Sequence, residues 1–173
     1  MAFAILRAEK LKTMGNIGGS LAHNYRTIDT PNANPSQTPN NFHSLKNSEA
    51  VKAAISERLP EKRRSDAVLC VEYMITASPE WQGWNDDRQN EYFKQAVEWL
   101  EQRHGKHNVV ATSIHRDETT PHLIAYVVPL DQDTGKLNAK KFLGGKAKLA
   151  EMQSSFSNHV KNLGYLCRTR RIY

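Results

Sequence analysis

Eight residues carry the densest chemistry in this chain: His115-Arg116-Asp117-Glu118-Thr119-Thr120-Pro121-His122. Apolar, β-rich segments flank them, Val109 to His115 on one side and His122 to Pro129 on the other. The pattern predicts two strands joined by a polar connection, with His115 closing the first and His122 opening the second. A tight connection would bring both imidazoles to one sheet edge, with Glu118 and Asp117 in the loop. Two imidazoles and a carboxylate can hold a divalent cation and leave positions open for a phosphate oxygen. Asp117 has two possible roles, an Asx-turn to the loop backbone or a bond that orients one of the histidines. Pro121 fixes the approach into the second strand. His23 is a second candidate. If it lies on a helix, Arg26 three residues on shares its face and pairs a nucleophile or base with a cation able to grip a phosphate. Tyr25 then points elsewhere. His43, His104, His107 and His159 have no partner at a meaningful spacing.

The elements that must position these groups are legible by pattern. Ala2 to Ala8 reads as an opening strand, and Met14-Gly15-Asn16-Ile17-Gly18-Gly19 as a glycine-punctuated loop. Ser20 then caps a short helix carrying Leu21, His23 and Arg26. Thr30 to Asn41 is a Pro-, Asn-, Ser- and Thr-rich loop, long enough to suspect function. Ser48 to Leu59 is a helix stopped by Pro60, Ala67 to Thr76 a strand, and Asn85 to His104 a helix ended by Gly105. Asp133 to Lys136 is a turn, Gly144-Gly145 a break, and Lys146 to Leu163 a last helix closed by Gly164. No internal repeat is visible. Interleaved strands and helices with a hairpin give an α/β (α+β) fold, a sandwich on a mainly antiparallel sheet.

The 173 residues fit one domain, with 39% hydrophobic and 24% charged residues. No apolar run approaches the ~20 residues of a membrane span, and Met1 to Leu6 lacks a basic leader and cleavage site. Cys70 and Cys167 are too few and too separated for a disulfide framework or zinc knuckle, which suits a reducing cytoplasm. A net charge of +6 favours phosphate contact, because each neutralised phosphate releases a counterion. The basic residues fall in separate clusters (Lys10 and Lys12, Lys62 to Arg64, Lys140 to Lys148, Arg168 to Arg171), as on a folded surface that tracks a backbone.

Taken together, three stretches in register resemble the MobV (Pre/Mob) family of plasmid relaxases. They are Ala8 to Lys12 with Gly15-Asn16-Ile17-Gly18-Gly19 and His23-Asn24-Tyr25-Arg26; Asp66 to Tyr73; and His115 to His122 followed by Ala125 to Pro129. The similarity runs in order from about Met1 to Leu163. It implies a histidine-hydrophobic-histidine relaxase fold, a central antiparallel sheet with the metal motif on its middle strands and helices packed outside. It implies nicking of one strand at a plasmid origin of transfer, single-stranded and hairpin DNA both being engaged, with a covalent 5′-phosphoryl enzyme. A coupling protein of the conjugation machinery is a further partner that the resemblance allows. The nucleophile maps onto His23, since Phe42 stands where some members carry a tyrosine. The metal set maps onto His115, Glu118 and His122, for Mn²⁺ or Mg²⁺. Arg26 and Glu118 join His23 in catalysis, Arg26 steadying the phosphate and Glu118 orienting His23 or acting as base. Lys10, Lys12, Arg26, Lys140, Lys141, Lys146 and Arg170 are expected to meet DNA.

Two departures stand out. The family's usual third ligand, two residues after His122, is Ile124 here, which cannot bind a cation. After Leu163-Gly164 only a basic tail, 164–173, follows where members continue into an assembly region. Two other readings stand beside nicking by His23. One is a DNA-binding module that has lost nicking, and the other a rolling-circle replication initiator attacking with Tyr25, Tyr73 or Tyr126.

Overall fold

The computed structural model describes residues 2–164. Five strands form one sheet: β1 (Ala4–Leu11), β2 (Phe42–His43), β3 (Cys70–Ala77), β4 (Val109–His115) and β5 (His122–Val127). Their order is β1-β3-β5-β4-β2, and every neighbouring pair is antiparallel. Side chains alternate along a strand, so each strand supplies both faces. Val71, Tyr73 and Ile75 of β3 meet α3 (Arg88–His104) and α5 (Gly145–Val160) in one core. Cys70 and Met74 join the opposite core, beneath α1 (Met14–Asn24) and α2 (Ser48–Arg58). A short α4 (Ala139–Leu143) leads into α5. The antiparallel α/β sandwich expected from the sequence is the observed architecture.

The largest revision lies at α1. The glycine-punctuated segment expected as a loop is helical from Met14, capped by Thr13, whose hydroxyl accepts from the Asn16 amide at 3.0 Å. Gly15, Gly18 and Gly19 each cost about 1 kcal/mol relative to alanine in a helix. Full burial of Ile17 and Leu21 against the sheet outweighs that cost. β2 and α4 were not foreseen; each is too short to display a period. Elsewhere the expected elements shift by a few residues at their ends: β1 and β3 begin later, and α3 starts at Arg88.

Topology brings the chemistry to one end of the sheet. His115 and His122 are register partners at the tip of the β4–β5 hairpin. β1 ends at the other end, and α1 runs back from there over the sheet. Its 11 residues span about 16 Å and carry Asn24 to the histidine end.

Candidate active site

At the hairpin tip His115 Nδ1 and His122 Nε2 lie 3.0 Å apart. His115 Nε2–H donates to the Asn24 carbonyl at 2.9 Å, and His122 Nδ1–H to the Thr120 carbonyl at 3.2 Å. Carbonyls only accept, so each ring's carbonyl-bound nitrogen carries its hydrogen and the other two nitrogens converge. Burial, then the neighbouring His122 and Arg26, push the His115 imidazole down to about 4, which keeps it neutral. Glu118 stands beside the pair, with Oε2 3.6 Å from His122 Nε2.

Two nitrogens about 2.1 Å from one cation at a right angle would lie about 3.0 Å apart, so the pair fits adjacent positions on a divalent ion. The set is partial. Among the described residues no group of three or more His, Cys, Asp or Glu is arranged to hold a metal ion. Glu118 Oε1 is engaged by Arg26 at 3.1 Å, and Ile124, the next residue on His122's face, is buried and apolar.

Arg26 does not share a helix face with His23. α1 ends at Asn24, and Arg26 takes a left-handed conformation with φ 56°. The turn aims its guanidinium at Asp117, with Nε–Oδ2 2.9 Å and Nη2–Oδ1 2.7 Å. Asp117 therefore holds an arginine, where an Asx-turn or a bond to histidine was expected. Its carboxyl is held far below the usual range by the Arg26 bond first, and by Thr38 among others. The long 30–41 loop docks on the same aspartate, since the Asn34 amide donates to the Asp117 carbonyl at 2.6 Å.

His23 is exposed in the last turn of α1, on the sheet face that carries the histidine pair. His43, which had no sequence partner, belongs to the site. Its Nδ1 is 2.7 Å from Ser113 Oγ, its ring stacks on Tyr25 at 4.3 Å, and it lies 6.1 Å from the His115 ring. Burial lowers its pKa. A two-residue edge strand left no period that could have revealed it.

All four tyrosine hydroxyls among the described residues are committed to protein partners. Tyr25 donates to the Leu45 carbonyl and Tyr92 to the Thr76 carbonyl, Tyr73 pairs with His104, and Tyr126 with Ser20.

The basic residues divide. Lys10, Lys12 and Lys140 line a cleft of about 670 Å³ together with Lys62, Arg63, Arg64 and Lys136. This cleft is at the end of the sheet away from His115 and His122, roughly 20 Å along the strands. Lys146 is exposed nearby. Lys141 instead pairs with Asp131 at 3.0 Å and Asp133 at 3.7 Å. Arg170, like Cys167, lies outside the described residues.

A profile of the "Plasmid recombination enzyme" family matches residues 1–169. The chain is 34% identical over 170 residues to a "65 kDa protein" of Zymomonas mobilis, covering 94% of this chain and 29% of that protein. It is 31% identical over 179 residues to "Plasmid recombination enzyme type 1" of Staphylococcus aureus, covering 95% and 43%. The chain thus spans less than half the length of these relatives. Among solved structures it superposes on the MobM relaxase domain bound to plasmid pMV158 oriT DNA, in a Mn-bound crystal structure. The TM-score is 0.81 at 28% identity, covering 98% of this chain and 91% of that one. A second Mn-bound complex of the same domain, with a 3′-thiophosphate on its DNA, gives 0.80 at 28% identity, covering 98% and 90%. With the profile, the relatives and the relaxase-domain fold in agreement, this chain belongs to the Pre/Mob family of plasmid recombination enzymes and has the relaxase fold of its MobV members.

Proposed function

We propose that this chain nicks one strand of plasmid origin-of-transfer DNA by transesterification, with His23 as nucleophile. One observation carries the reading. His23 is exposed and directly precedes Asn24, whose carbonyl accepts from His115, while every described tyrosine hydroxyl is bonded within the protein. That disfavours a tyrosine-based initiator, and the DNA-bound neighbours favour an origin substrate.

His115 and His122 would hold a divalent cation, Mn²⁺ as in the neighbours or Mg²⁺, with Glu118 alongside. Bound there, the cation polarises the scissile phosphate and offsets its growing charge. A His23 ring nitrogen forms the new bond to phosphorus, and the bond from phosphorus to the 3′-oxygen breaks. The 3′-oxygen keeps the electron pair and takes a proton. The resulting phosphoramidate retains the bond energy for rejoining, which suits strand transfer in the cytoplasm rather than degradation. Asp117 fixes Arg26 against the loop, and Arg26 in turn holds Glu118 beside His122. Lys10, Lys12, Lys140 and Lys146 meet the DNA backbone away from the nick. A coupling protein would receive the covalent complex.

Ile124 favours a second reading, a DNA-binding module that no longer cuts. A supercoiled-plasmid assay with the cognate origin and Mn²⁺ separates the two. Nicking with a covalent adduct that is lost in His23→Ala, with origin binding retained, is the expected result. Binding without cleavage at every Mn²⁺ concentration establishes the second reading.

A further inference from the structure

A second concavity, about 470 Å³ in volume, opens beside the histidine pair, and the proposed chemistry leaves it unused. His122 is part of its wall. Three separate stretches complete it: Asn32 from the long polar loop, Met74 and Thr76 from β3, and Glu118 to Thr120 from the β4–β5 connection. The loop end is set by its sequence. In the turn Thr30-Pro31-Asn32-Ala33 proline supplies the second position, and the Ala33 amide donates to the Thr30 carbonyl at 3.0 Å. Beyond the turn, the Asn34 amide and the Thr38 hydroxyl both donate to Asp117, at 2.6 and 2.9 Å. The aspartate that holds Arg26 thus also holds Asn32 at the hollow.

The lining is unlike that of the basic cleft at the other end of the sheet. No lysine or arginine contributes, and Glu118 is its one carboxylate, so a phosphate gains nothing there. Met74, half-buried, is its one apolar residue, and a thioether packs well against a flat ring. Thr76 is committed, its hydroxyl donating to the Pro121 carbonyl at 2.7 Å. The Asn32 amide and the Thr119 and Thr120 hydroxyls have no partner among the described residues. An apolar wall with several unspent donors and acceptors suits a flat, uncharged ligand with polar edges.

We propose that the hollow receives one unpaired nucleobase of the strand being cut, next to the scissile phosphate. A base hangs one sugar from its phosphate. A phosphate at His115 and His122 therefore places a neighbouring base within reach of the wall that His122 shares. The ring lies against Met74. Its edge is read by the Asn32 amide, which can donate and accept at once, and by the Thr119 hydroxyl. Seating that base fixes the register of the strand at the cut. Asn32 is then a specificity-determining residue, held ready by the Pro31 turn.

This inference rests on the cut strand being held at the histidine pair. The experiment titrates the full chain, without divalent ions so that nothing is cut, into a labelled single-stranded oligonucleotide spanning the nick. Each base is replaced in turn by an abasic sugar, which keeps every phosphate. In the parent, one position adjoining the nick is expected to lose affinity about tenfold or more. In Asn32→Ala and in Thr119→Val that penalty should shrink to about threefold or less, because part of what read the base is gone. Asn32→Ala should also bind all four bases at that position alike. Met74→Ala should reduce the penalty similarly; should it fail to fold, the two exposed sites still give the answer. An unchanged penalty in Asn32→Ala and Thr119→Val, or no position adjoining the nick that responds to base removal, overturns the base site and leaves the nicking proposal standing. The expected base response in a chain that forms no adduct at any Mn²⁺ concentration sinks nicking alone. An oligonucleotide that does not bind removes both.

Discussion

His115 Nδ1 faces His122 Nε2 at 3.0 Å, and each ring's other nitrogen is bound to a backbone carbonyl. The two remaining ring nitrogens therefore point at one another across that gap. A cation placed between them would be bound by both, so the arrangement favours metal loading. Ile124 restricts it, because residue 124 lies on the same strand face as His122 and is only 7% exposed. Ile124→His should add an imidazole to that face and tighten Mn²⁺ binding by about tenfold or more, roughly 1.4 kcal/mol. His122→Ala should eliminate binding. Calorimetric titration of Mn²⁺ into the three proteins checks this; unchanged affinity in Ile124→His would show that the face is not the cation's.

The Arg26–Asp117 pair ties the end of α1 to the loop that bears Glu118. Asp117 has a fully buried side chain and Arg26 one that is 11% exposed. Removing one partner of such a pair leaves the other charge buried and typically costs 3–5 kcal/mol. Asp117→Asn should cost about 3 kcal/mol, because Glu118 remains to face Arg26. Denaturant unfolding measures it. A loss under about 1 kcal/mol would place the pair with weak surface bridges.

Much of this organisation is legible in residue order. The β4–β5 hairpin announces itself through two β-branched, apolar runs around a polar connection, and with it the His115–His122 pair. α2 and α3 display their caps and stripes. What is not legible depends on contacts distant in sequence. The α1 glycines argue for a loop until the sheet that buries Ile17 and Leu21 is present. His43 joins the site only because Phe42 and His43 pair with β4, seventy residues on. Arg26 looks like a free phosphate grip until Asp117, 91 residues away, claims it. Lys141 likewise reads as one more cation in a basic run, though Asp131 ten residues earlier neutralises it.

His104 supplies a pH dependence. It is buried against Phe142, with its ring paired to the Tyr73 hydroxyl, and burial pushes it down to about 3. Its ordinary value is about 6.5. Between these values the unfolded chain binds a proton that the folded one refuses, so stability rises with pH. The contribution is complete above about pH 6.5 and is lost as pH falls toward 3. At about 1.4 kcal/mol per unit its full extent is on the order of 5 kcal/mol. Melting curves from pH 7 to pH 4 should show a steep acid loss that His104→Gln flattens. Parallel curves for the two proteins would assign the acid sensitivity elsewhere.

The cleft of Lys10, Lys12, Lys62, Lys136 and Lys140 allows the proposed DNA contact to be separated from mere surface charge. These lysines converge from three segments on one concavity, and no described carboxylate pairs with them; Asp66 in the same cleft is bound to Arg64. Each lysine that neutralises a phosphate adds about −0.9 to the slope of log K against log salt on duplex DNA, or about −0.7 on a single strand. Lys12→Ala and Lys140→Ala should each flatten the slope by about that amount. Lys141→Ala is the internal control. It removes the same formal charge one residue from Lys140, but that charge is already offset by Asp131 and Asp133. Its slope should match the parent's. Anisotropy titrations of origin DNA across a salt series read all three. Equal flattening in Lys140→Ala and Lys141→Ala would mean that net charge alone governs binding. A parent slope near zero would remove the cleft from the DNA path.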